Sequence, residues 1–112
     1  MSAVQLQTLL NDLSASDNAS DEINRLAVTR LMREHIPFRA MLGKVEVNGK
    51  VIAPHIWLEA DGCIIDYTAG RNAANEELPQ GVMPLGAAPA HYEGQEIVID
   101  PLPEYMYAVI NH

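Results

Sequence analysis

The sequence predicts an α+β fold in which two N-terminal helices pack on a mainly antiparallel sheet. Three observations carry this expectation. Leucines recur at helical spacing near the start, the hydrophobic period changes from about 3.6 to two after Pro37, and two turn dipeptides, Asn48-Gly49 and Asp61-Gly62, sit between β-rich stretches. With 112 residues, 48% of them apolar and 20% charged, the chain is long enough for one domain, residues 1–112, with its own core.

Leu6, Leu9, Leu10 and Leu13 form one stripe of an amphipathic helix over about residues 3–13. The stretch Ser14 to Ser20 is rich in side chains that bond to nearby backbone, which marks a loop and a helix start. Ile23, Leu26, Ala27 and Leu31 define the buried face of a second helix from Ser20 to about His35, where Pro37 disfavours helical geometry at Ile36. Phe38 to Val47 reads as a strand that turns at Asn48-Gly49 into Lys50-Val51-Ile52, and Asp61-Gly62 joins His55–Ala60 to Cys63–Thr68 in a second hairpin. Residues 69–94 show no clear period and read as a long irregular excursion with a helical turn near Asn72 to Glu77. Gln95–Ile99 and Tyr105–Ile110, separated by a proline-rich step, read as closing strands.

Composition narrows the function. Fifteen acids against seven bases give a net charge of −8, which opposes attraction to phosphate backbones and argues against nucleic-acid binding. The acids are scattered among apolar residues, as on a solvated surface rather than a docking patch. One cysteine, Cys63, cannot close an intrachain disulfide, and a reducing, cytoplasmic setting is expected. No basic region precedes the first apolar stretch and no apolar run reaches membrane-spanning length, so neither secretion nor a membrane association is expected. A metal site from His55 and Glu59 would need side chains about 13 Å apart along a strand to converge.

A two-residue turn at Asp61-Gly62 sets the pairing outward: Ala60 faces Cys63, Leu58 faces Ile65 and Trp57 faces Asp66. His55 and Asp66 then become diagonal neighbours on one sheet face, about 7 Å apart at the backbone and within side-chain reach. A carboxylate so placed holds an imidazole in one tautomer and stabilises its cation, as a general base requires. Trp57 shares that face and is the candidate shielding and substrate-binding residue. Cys63 falls on the opposite face, as a core thiol.

The string HIWLEADGCIIDYTAG, His55 to Gly70, resembles the His/Asp half of the papain-like and transglutaminase-like cysteine enzymes: a His, an aromatic two residues on, an acid, a turn, and an Asp followed by Thr. Helix Ser20 to His35 followed by Ile36-Pro37 is similar to the segment that precedes this half, so the resemblance spans about residues 20–70. It implies that fold, a nucleophile at the start of the second helix, and hydrolysis or acyl transfer at an amide or thioester of a peptide, protein or small acyl substrate, without a cofactor. At the matching position, sixteen residues before Ile36, the chain has Ser20 rather than Cys. A helix N-terminus there would stabilise a thiolate or oxyanion, although Ser20 taken alone reads as an ordinary N-cap. Three readings stand: a catalytic Cys replaced by Ser, a native serine nucleophile, or a fold retained for binding. A shift of a few residues would instead move the position to Ser16 or Asn18.

The expected catalytic set is therefore Ser20, His55 and Asp66. A Cys63/His91 pair across the long excursion is an alternative to it, whereas His35 is expected to make a dipole contact at a helix end and His112 to lie in a frayed terminus. The other functional class is a non-catalytic acidic binding or inhibitor protein on the same fold.

Overall fold

The computed structural model describes residues 3–10, 13, 20–47, 49–68, 81–84 and 91–110. These form helices α1 (Ala3–Leu10), α2 (Ser20–Arg33) and α3 (Glu104–Ile110) and strands β1 (Arg39–Val47), β2 (Lys50–Ala60), β3 (Cys63–Asp66), β4 (Gly81–Pro84) and β5 (His91–Ile97). The sheet order is β4-β3-β2-β1-β5, with every neighbouring pair antiparallel.

One sheet face carries Ala40, Leu58, Ala60, Cys63 and Ile65, and against it pack Leu6 and Leu10 of α1, Leu13 beyond its end, and Ile23, Leu26, Ala27 and Leu31 of α2. The leucine stripe thus does what its spacing predicts, although α1 stops at Leu10. Buried Arg30 ties the helices together by donating from Nη1 to the Leu9 carbonyl at 3.1 Å, in the last turn of α1, where helix carbonyls lack intrahelical donors. The second helix ends in a Schellman turn: His35 has φ 57°, its N–H bonds the Met32 carbonyl, and the N–H of buried Ile36 bonds the Leu31 carbonyl. The role of His35 in the fold is this left-handed backbone position.

The Asp61-Gly62 turn lies where expected, and Gly49, with φ 80°, stands between β1 and β2, while Asn48 lies outside the described residues. Asp61 and Gly62 have φ of 49° and 74°, the positive pair a two-residue hairpin needs, and the pairs Ala60↔Cys63, Glu59↔Ile64 and Leu58↔Ile65 follow. Lys50–Ala60 is one continuous strand rather than two pieces. Its register against β1 slips between Gly43↔His55 and Val45↔Ile52, so three steps of β2 oppose two of β1 in a bulge that immediately precedes His55.

Three further expectations are corrected. Tyr105–Ile110 is not a strand but lies in α3, because Pro103 ends the extended run and its carbonyl accepts the Tyr107 N–H at 2.9 Å. Packing of Met106 and Tyr107 on the core, with Arg33 4.6 Å above the Tyr107 ring, overrides their β propensity. The excursion at 69–94 contains β4, and the closing strand begins at His91 rather than Gln95. The helical turn expected near residues 72–77 lies outside the described residues.

The segment leading to α3 is latched to α2. Arg25 donates to the Asp100 and Pro101 carbonyls, and Thr29 Oγ1 accepts the Leu102 N–H at 2.8 Å while donating to the Arg25 carbonyl. Among the described residues, no helix is long and apolar enough to cross a membrane.

Candidate active site

The other sheet face holds the polar constellation. Alternation along β2 puts His55, Trp57 and Glu59 on it, β3 adds Ile64 and Asp66, β1 adds Met41, Gly43 and Val45, and β5 adds Tyr92 and Gly94. Met41, Trp57 and Ile64 form a second apolar cluster there, with Met83 and Tyr92 packed against it.

His55 Nε2 lies 2.8 Å from Asp66 Oδ2, with the two side chains 1% and 0% exposed. The diagonal pairing expected from the turn brings this contact about. Asp66 is held in turn: the Thr68 N–H donates to Oδ1 at 3.0 Å, and Tyr92 Oη donates to Oδ2 at 2.7 Å. A carboxylate accepts, so Nε2 donates to Asp66, and in the neutral ring Nδ1 then presents a lone pair. That Nδ1 is buried and has no hydrogen-bond partner among the described residues. An unpaired buried acceptor costs free energy, which makes it the atom of this site available to a proton donor.

Tyr92 reaches Asp66 from β5, with β1 and β2 between their strands. On a flat sheet that gap is about 14 Å, more than the two side chains span, so the sheet curls with this face concave. The curl concentrates the network. Trp57 sits inside it, its ring stacked 6.2 Å from that of His55 and tilted 4.9 Å from that of Tyr92, with Nε1 donating to Glu59 at 3.2 Å. Burial first, then the charge of Asp66 and the hydrogen bond to it, raise the Tyr92 pKa far above the ordinary phenol value, so its O–H stays protonated and donating.

The structure brings His55 and Asp66 together and places Trp57, 1% exposed, as the wall beside them. Ser20 is the first residue of α2, and its side chain, like Ser16 and Asn18, lies outside the described residues. The apolar stripe of α2 covers the sheet face opposite His55. Cys63 is buried under that stripe, on the face expected for it, with Sγ directed at the Asp61 carbonyl. His91 is largely exposed beside Glu93 and pairs with Glu46, whereas Cys63 lies by the end of β2 that pairs with Arg39. These opposite ends of the sheet keep Cys63 and His91 apart. His112 lies outside the described residues.

Two clefts flank the site without being lined by His55 or Asp66. One of about 290 Å³ lies between Pro37–Arg39 and Glu59–Gly62, and one of about 510 Å³ is bounded by Leu42–Lys44, Ala53 and Glu93–Gln95. Among the described residues, no three His, Cys, Asp or Glu side chains cluster in a metal-holding arrangement.

Sequence reasoning did not find Tyr92. It lies 26 residues from Asp66 in sequence, inside the stretch without a clear period, and only the curl of the sheet joins them. The one local signal is the alternation of Tyr92, Gly94 and Glu96 on a single face. Compared with known proteins, the chain matches no family model, no curated protein and no solved structure.

Proposed function

We propose that this chain is a small papain-like or transglutaminase-like domain built for acyl chemistry at an amide or thioester carbonyl, with His55 as the base and Asp66 as its orienting carboxylate. The observation that carries the reading is the buried His55–Asp66 contact at 2.8 Å with Nδ1 left unpartnered. In this scheme the nucleophile at position 20 gives its proton to Nδ1 as it attacks the carbonyl carbon. His55 returns that proton to the leaving amine or thiolate, and the acyl group then passes to water or another acceptor by the reverse steps. Backbone N–H groups at the start of α2 would hold the oxyanion. Trp57 keeps water from the pair.

A second reading is supported by a different observation. The His55 side chain is 1% exposed, α2 lies across the sheet from it, and position 20 is a serine. Under this reading the fold serves as an acidic binding module and the His55 network holds the curled sheet together.

The rate of alkylation of Ser20→Cys against pH, in a Cys63→Ala background, separates the two. Fast alkylation well below pH 7 that disappears with His55→Ala supports the acyl-chemistry reading. A rate rising with a midpoint near about 8.5, indifferent to His55, overturns it in favour of the binding module.

A further inference from the structure

We propose that Tyr92 is a positioning residue of this site, acting on His55 through the Asp66 carboxylate. The inference deepens the acyl-chemistry reading and, for its catalytic consequence, rests on it. Tyr92 Oη at 2.7 Å and His55 Nε2 at 2.8 Å meet the same oxygen, Oδ2, so the two donors compete for its electron density. A carboxylate that already accepts from a phenol holds an imidazolium less strongly than a free one. Tyr92 therefore sets how readily His55 gives its proton back.

The surroundings are arranged to keep this contact. Tyr92 pairs with buried Val45 near the C-terminal end of β1, and its ring packs on Trp57. Two positions along, a Cβ on Gly94 would fall 2.8 Å from Trp57 Cη2, so glycine is what lets the indole lie close over β5. The charged and titratable groups facing His55 are few among the described residues. Asp66 comes from β3, Tyr92 from β5, and Glu59 from its own strand, the last paired with Arg39 at 2.6 Å. Glu96 stands further along β5 on the same face, β1 offers Met41, Gly43 and Val45, and β4 offers Met83. Asp66 is thus the group through which His55 is tuned, and Tyr92 the donor that reaches it from a distant strand.

The test is the titration of His55 followed by ¹⁵N NMR of the imidazole, with the signal assigned by its loss in His55→Gln. Tyr92→Phe removes one oxygen and should raise the His55 midpoint by about one pH unit. Placing 3-fluorotyrosine at position 92, a more acidic donor of nearly the same shape, should lower it. Opposite shifts support the proposal, and a midpoint unmoved within about 0.2 unit in both proteins overturns it. Should Tyr92→Phe fail to fold, the fluorinated protein alone decides, since a merely structural role would leave the midpoint in place. If His55 shifts while Ser20→Cys alkylates like a free thiol, the Tyr92 coupling stands and the acyl-chemistry reading falls. If Ser20→Cys is activated while His55 is indifferent to Tyr92, the reverse holds.

Discussion

His55 and Asp66, eleven residues apart across a two-residue turn, meet at 2.8 Å with their side chains 1% and 0% exposed. The contact is a buried junction, because the Asp66 carboxylate also accepts from Tyr92 Oη and the Thr68 N–H. Asp66→Ala removes the acceptor from all of these donors at once. It should cost about 3–5 kcal/mol of stability, measured by urea unfolding, whereas Asp66→Asn, which keeps one carbonyl oxygen, should cost less.

Tyr92 makes stability depend on pH in a defined window. Its folded pKa is raised above the unfolded value, so the stabilisation is complete below about pH 10 and falls as pH rises above it, where the unfolded chain ionises and the folded one does not. At pH 11 the loss attributable to this group should be about 1.4 kcal/mol. Unfolding curves at pH 8 and pH 11 for the natural protein and Tyr92→Phe isolate it as the difference that only the former shows.

Gly94 is required by its neighbours. A methyl group there would meet the Leu42 carbonyl and the Trp57 ring, and both are fixed by the sheet. Gly94→Ala should cost about 1–3 kcal/mol and shift the emission of Trp57, the single tryptophan, toward that of a more exposed indole.

Arg30 is a buried cation that closes the end of α1 through the Leu9 carbonyl. Arg30→Met keeps much of the packing volume and loses the donor. The expected loss is about 2 kcal/mol in thermal or urea unfolding.

His35 pays for its left-handed backbone without the freedom of a glycine. His35→Gly relieves that strain at an exposed position and should stabilise the protein by about 0.5–1 kcal/mol, readable as a higher melting temperature.

Much of this architecture is legible in residue order because it is local. The leucine stripe of α1, the stripe of α2 and its stop before Pro37, and the hairpin at Asp61-Gly62 each depend on residues a few positions apart. That hairpin carries the register, and the register alone puts Asp66 beside His55 and Cys63 on the other face. Tyr105–Ile110 misleads for the opposite reason: its β-prone side chains become helical only because Pro103 and the α2 surface wait for them.

By itself, then, the sequence determined the helical stripes, the turns, the α+β class and the His55–Asp66 pair, all of which follow from spacing within single elements or one tight hairpin. The tertiary structure alone decided that β5 joins β1, that the sheet curls, and that Tyr92 completes the carboxylate's hydrogen bonds while α2 lies across the opposite face. Those outcomes depend on contacts between residues tens of positions apart, where no periodicity connects the partners and only the summed twist and burial of the whole sheet brings them together.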